Sequence, residues 1–214
     1  MEEKLEKIKV YTRKVLANDK TGHGLDHIER VVRMAEKIAE SENCNQFIVI
    51  AAAYLHDTVD DKVVKDETEA FKQLVDFLEE IKLEPVEIEH IIHIIKNMSF
   101  SKSLSGTQEE LSLEGKIVQD ADRLDSMGAI GIARTLYYGG AKGRKLYDPK
   151  IAPRKLTSKE EYRTGDETTI NHFYEKILTL NNLLNTDYAK RIGKKRQQFL
   201  ENYLTEFLEE MDAK

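Results

Sequence analysis

Residues Phe47–Asp57 read FIVIAAAYLHD, an unbroken apolar run that closes on an imidazole and a carboxylate. Periodicity alone does not separate a buried helix from a buried strand in such a run. Ala51, Ala52 and Ala53 favour helix, because alanine is the strongest helix former. The polar stretch Thr58–Lys62 (TVDDK) follows, so the helix is expected to end near His56-Asp57. Neighbouring side chains on a regular helix point about 100° apart, and His56 and Asp57 can share a target only where the backbone loosens at a helix end. Both are ligands for a divalent ion. A His-Asp dipeptide by itself arises by chance. It gains weight from His27 in GHGLDHIERV and Asp122 in VQDADRLDSMGAIGIA, which bring the set to two imidazoles and two carboxylates.

Outward from this run the pattern is helical. Ile28, Val31, Val32, Ala35, Ile38 and Ala39 recur at three- and four-residue intervals and make one apolar face, with Asp26 as the candidate N-cap. Phe71, Leu74, Val75, Leu78 and Ile81 give a second amphipathic helix, capped by Asp66 or Thr68, and Pro85 suits the first turn of the next. Residues 97–108 read as a Ser-rich loop. A helix is expected from about Glu109 to Arg123, and another from about Met127 to Tyr138, ended by Gly139-Gly140. Residues 139–166 lack periodicity and hold two of the three prolines, which marks a long irregular loop or flap. Ile170, Phe173, Ile177, Leu180 and Leu184 line one closing helix, and Phe199, Tyr203 and Phe207, with Leu204 and Leu208, line the last. No β alternation and no internal repeat stand out. The expectation is an all-α chain, residues 1–214 forming a single-domain helical bundle.

The length of 214 residues is enough to bury a core without disulfides, and the single Cys44, in the polar segment SENCNQ, reads as a bystander thiol. The N-terminus lacks the apolar core of a signal peptide, and no run approaches the roughly 20 apolar residues that span a bilayer. A cytoplasmic protein that does not engage membranes is expected. The net charge of −6 argues against nonspecific nucleic-acid binding. Positive charge is concentrated between Lys142 and Arg163, either as a solvated loop or as a phosphate-facing flap. No Walker loop, GxSxG or GxGxxG is present, which removes those chemistries.

The order H…HD…D, with HxxRV around His27, resembles the HD-domain superfamily of metal-dependent phosphohydrolases. DADRLDSMGAIGIAR, the YYGG after it and INHFYEKILTL resemble its small, single-domain bacterial branch, and the likeness runs over roughly residues 20 to 205. The resemblance implies that His27, His56, Asp57 and Asp122 hold one divalent ion. The mixed nitrogen–oxygen set suits Mn²⁺ first, with Fe²⁺, Co²⁺, Ni²⁺, Zn²⁺ or Mg²⁺ as alternatives, and it lacks the thiolates of structural zinc. Four ligands on a six-coordinate ion leave room for a water and a phosphoryl oxygen.

Around this set, Asp60 and Asp61 continue the pattern HDxxDD, similar to the HDxxED of alarmone hydrolases, and are the candidate catalytic acids; a solvated acidic turn is the plainer reading. Arg30, one turn after His27, is the candidate phosphate contact. His23, Asp125, Lys142 and Arg144 are further candidate substrate contacts, Asp125 alternatively an acid supporting the metal ligands. His90 and His93 lie among isoleucines and read as helix-face packing, and a two-iron oxygenase would need such extra ligands. The expected substrate is a small nucleotide, above all a nucleoside or deoxynucleoside triphosphate cleaved to monophosphate and pyrophosphate. Monophosphate dephosphorylation, alarmone hydrolysis and a non-catalytic nucleotide sensor are the alternatives, and a homodimer stays open.

Overall fold

The computed structural model describes residues 1–17, 24–61, 63–100, 106, 108–155 and 168–213. Those residues are helical throughout their regular structure, with no strand among them. Contacts group the chain into two compact units, Met1–Ala121 and Asp122–Lys214.

The first unit holds α1 (Glu2–Leu16), α2 (Leu25–Ala39), α3 (Gln46–Leu55), α4 (Glu67–Glu80) and α5 (Pro85–Asn97), and most of α6 (Leu113–Asp125). The apolar run is α3, and it packs against α1, α2 and α5. Val49, Ala51, Ala52, Ala53 and Leu55 are fully buried, which explains why the run has no polar face. Complete burial of each large aliphatic side chain stabilises by about 1.5–3 kcal/mol. Asn45 starts α3: its Oδ1 accepts from the backbone N–H groups of Phe47 and Ile48. Asp66 caps α4 by accepting from Glu69 N at 3.0 Å, and Pro85 occupies the first turn of α5.

Two expectations in this unit are corrected. The N-cap of α2 is Gly24, not Asp26, which sits inside the first turn and pairs with Arg30. The helix expected from Glu109 begins only at Leu113, because side chains of α5 hold the preceding segment: Asn97 Oδ1 accepts from Glu109 N, and His93 Nε2 lies 3.0 Å from Glu110 O. It also continues two residues past Arg123, to Asp125. Half of the Ser-rich loop, residues 101–105 and 107, falls outside the described residues.

The second unit holds the end of α6, α7 (Gly128–Ala141), α8 (Thr169–Glu175), a 3₁₀ segment (Ile177–Leu183) and α9 (Asp187–Met211). α7 packs on α8 and α9, and the 3₁₀ segment packs on the same two. Gly139-Gly140 does not end α7, which runs on to Ala141. Gly139 instead permits a close approach, since a Cβ there would lie 2.2 Å from Thr169 Oγ1, and the left-handed residue after the helix is Gly143, at φ +65°. The closing helix expected to carry Ile170, Phe173, Ile177, Leu180 and Leu184 breaks at Lys176 into α8 and the 3₁₀ segment, yet all five residues are buried. On α9 the buried stripe is Ala189, Gly193, Leu200 and Leu204, so Phe199, expected to be inside, is 52% exposed. Residues 142–155 are irregular, as expected, and 156–167 lie outside the described residues.

Candidate metal centre

The corner is assembled by the end of one helix and the start of another. α3 stops at Leu55, His56 is its C-cap, and the chain turns immediately. Thr58 closes that turn twice, with N and Oγ1 both donating to Leu55 O at 3.0 and 2.7 Å. This lets His56 and Asp57 aim at one point, which a continuing helix would prevent. His27 is the third residue of α2, which packs against α3.

All three side chains are buried: His27, His56 and Asp57 are 1%, 7% and 6% exposed. His27 Nε2 lies 3.3 Å, and His56 Nε2 3.4 Å, from the same oxygen, Asp57 Oδ2. One donor atom from each residue falls within 4.8 Å of the others, the spacing of ligands around one ion. The tautomer of His56 follows from its second contact. Nδ1 lies 2.8 Å from Ala53 O, which can only accept, so Nδ1 carries the hydrogen. A neutral His56 therefore presents the lone pair of Nε2 toward the Asp57 carboxylate. Two lone pairs so directed repel unless a proton or a cation lies between them. A buried carboxylate with two imidazole nitrogens on one oxygen, one of them oriented from behind by a backbone carbonyl, is the chemistry of a divalent-ion site. The Ala53 carbonyl has no signature in the sequence, because any residue supplies one.

The other candidates fall as follows. Asp60 is half-buried one turn after Asp57, tied to it by a backbone hydrogen bond from Asp60 N to Asp57 O of 3.2 Å, while Asp61 is exposed. Arg30 donates through Nη1 to Asp26 Oδ2 at 2.8 Å, and this guanidinium holds the Asp26 carboxyl below the usual carboxylate range. Asp122 is part-exposed in the last turn of α6, within the second unit. Asp125, on the same helix face, is buried and accepts from Arg134 Nη1 at 2.8 Å. Lys142 and Arg144 both stand over the ring of Tyr138, at 5.6 and 5.2 Å from its centre. His23 lies outside the described residues.

His90 and His93 are on the exposed side of α5, each with its own acid. His90 Nε2 lies 2.8 Å from Ser112 Oγ and 3.6 Å from Glu114, and His93 Nδ1 lies 3.3 Å from Glu109. The acids nearest in sequence, Glu87 and Glu89, are not the partners. The root of the basic segment is held by a contact the sequence did not suggest. Arg154 grips the buried Glu175 through Nε, Nη2 and its own backbone N–H. Burial by itself would raise the Glu175 carboxyl, but these donors outweigh it and hold it below the usual glutamate range.

Among the described residues no helix is long and apolar enough to cross a membrane. A family model for the HD domain matches residues 24–127. YpgQ of Bacillus subtilis, an uncharacterised protein, is 37% identical over 200 residues, which cover 91% of this chain and 87% of YpgQ. A crystal structure of a Lactobacillus plantarum protein superposes with a TM-score of 0.91 at 44% identity, covering 100% of this chain and 99% of the other. That of an HD-superfamily hydrolase from Bacillus thuringiensis does so with 0.77 at 41% identity, covering 100% and 99%. The structure of YpgQ in complex with ADP gives a TM-score of 0.72 at 34% identity over 97% of this chain and 94% of YpgQ.

Proposed function

This chain belongs to the HD-domain superfamily of metal-dependent phosphohydrolases, and from that premise we propose that it hydrolyses small nucleotides, cleaving nucleoside or deoxynucleoside triphosphates to monophosphate and pyrophosphate. The observation that carries the metal-dependent part is the convergence of His27 Nε2 and His56 Nε2 on Asp57 Oδ2 in a buried corner. The nucleotide part is supported by YpgQ, whose structure was solved with ADP.

In this reading His27, His56, Asp57 and Asp122 hold one divalent ion, Mn²⁺ by preference. When bound, the ion neutralises phosphoryl charge and lowers the pKa of a coordinated water. The protein supplies the remainder. Asp60, tethered by its backbone to Asp57, gives a proton to the departing pyrophosphate oxygen. Asp61, exposed on the rim, is the second acid within reach of water. Arg30, His23, Lys142 and Arg144 orient the phosphate chain, the guanidiniums as two-pronged donors. Arg30, now on Asp26, and Lys142 and Arg144, now over the Tyr138 ring, are the cations that would turn to the phosphates.

Product analysis tests the reading. Metal-stripped protein restored with Mn²⁺ is incubated with nucleoside mono-, di- and triphosphates beside an Asp57→Ala control. Monophosphate plus pyrophosphate, absent in the control, is the expected result. Free phosphate from monophosphates moves the assignment to a nucleotidase, and no turnover by Mn²⁺-loaded protein across the panel rejects nucleotide hydrolysis.

A further inference from the structure

The last turn of α6 is held by three arginines, each through a different partner. Arg123, on α6 itself, donates to the carbonyl of Leu183. Arg134, on α7, donates through Nη1 to Asp125 Oδ2 at 2.8 Å. Arg196, on α9, donates through Nη1 to the carbonyl of Leu124. That carbonyl also accepts from Met127 N at 3.0 Å, and it lies at the C-terminal end of the helix, where the macrodipole is negative. A guanidinium there adds a second donor and offsets the dipole. Burial pushes Arg196 down from the usual arginine value, and the charge of Asp125 opposes that. Asp125 therefore bonds one guanidinium and lies within electrostatic reach of a second.

The turn that follows is equally constrained. Gly128 has φ +69°, and a Cβ on it would come within 3.0 Å of Arg196 Cγ, so the stem of Arg196 lies directly on the backbone. A Cβ on Gly131 would lie 2.2 Å from Ser126 O, which locks Ser126 against α7. Ser126 N is shared between Asp122 O and Arg123 O, at 3.3 and 3.1 Å. A helix end normally frays. This one is clamped at the turn that carries Asp122.

We infer that Asp125, Arg134 and Arg196 are positioning residues for Asp122: they fix the last turn of α6 and so aim its carboxylate, and Asp125 does not contact substrate. The inference rests on the reading of Asp122 as a metal ligand. Ligands must be held within about 0.5 Å of their working geometry, and loss of the groups that support them typically costs about 10- to 100-fold in metal affinity.

The test is Mn²⁺ binding, followed by the EPR signal of the free ion, in Asp122→Asn, Asp125→Asn, Arg196→Met and Arg196→Lys. Arg196→Met keeps the apolar stem on Gly128 and removes only the charge and donors. Asp122→Asn is expected to weaken Mn²⁺ most. Arg196→Met and Asp125→Asn are expected to weaken it about 10-fold, with KM at saturating Mn²⁺ unchanged, and Arg196→Lys to recover most of the loss. Combining Arg196→Met with Asp122→Asn should add nothing to Asp122→Asn alone, a non-additivity that mere loss of stability would not produce. If Asp122→Asn leaves Mn²⁺ affinity intact, the ligand reading fails and the positioning role with it. If Asp122→Asn weakens binding while Asp125→Asn and Arg196→Met do not, only the positioning role is overturned. Should Arg196→Met fail to fold, Asp125→Asn decides by itself.

Discussion

The first unit contains two sets of histidines with carboxylates, and they are used in opposite ways. At the end of α3, two imidazole nitrogens meet one oxygen of one acid, all three residues less than 10% exposed. On α5, His90 and His93 each meet a separate acid, with side chains 30% and 33% exposed, and each also bonds a neutral oxygen of the segment before α6. The residue types are the same. In the first set the donors converge and exclude water, which concentrates negative charge and lone pairs where only a cation or proton relieves them. In the second the donors diverge, water screens each pair, and the rings pin a stretch of backbone. Convergence with burial, not the presence of histidine and acid, separates a metal corner from a clasp.

The largest effect expected from breaking this comparison lies at Asp57. Replacing it by Ala should weaken Mn²⁺ by more than about 100-fold, beyond the usual cost of losing a supporting group, and His56→Ala should behave alike; unchanged metal content in either would refute the ligand set. Next comes the stabilisation that metal confers. At a Mn²⁺ concentration of 100 times its Kd, linkage gives about 2.7 kcal/mol, or roughly 5–10 °C for a chain of this size. Calorimetry should show that shift in the wild type, in His90→Ala and in His93→Ala, and none in Asp57→Ala. A shift lost in His90→Ala would erase the distinction between the two sets.

A third test sharpens the contrast with a carboxylate that already has its cation. Glu175 is held by Arg154, and Arg154→Met should cost about 2 kcal/mol in urea unfolding at neutral pH, without touching metal binding. The folded Glu175 titrates below its unfolded value. Its contribution is thus present above the unfolded value and is lost as pH falls through the lowered one. The gap between wild type and Arg154→Met should narrow on acidification over that window, and a gap independent of pH would rule out the pair as its source. The smallest effect is at the clasp itself. His90→Ala should cost about 1 kcal/mol, the worth of one ordinary hydrogen bond, and the more exposed His93 less.

Much of this was legible along the chain. The all-α class, the C-terminal end of α3, the apolar face of α2 and the start of α5 at Pro85 all follow from patterns a few residues long. So does the corner: an apolar run closing on His-Asp, with a second imidazole at the head of a neighbouring helix. Most of what failed to show was a contact with something distant in sequence. Gly139-Gly140 has the composition of a helix stop, yet α7 continues because Gly139 is needed for the approach of Thr169. The start of α6 lies later than its sequence pattern suggests because Asn97 and His93 hold residues 109–110 away from it. Phe199 sits one position off the buried stripe of α9, since a long helix with two apolar faces does not declare which of them its neighbours cover.

The division has a physical basis. Helix formation, capping and the apolar stripe depend on neighbours within about one turn, so the order of residues was enough to set them, and with them the chemistry available at His27, His56 and Asp57. Which histidines share an oxygen, which acid receives Arg154 and which carbonyl Arg196 caps depend on helices brought together from tens of residues apart. Packing settles those choices, because burial makes a converged charge costly and a compensated one tolerable, and burial exists only once the helices have docked.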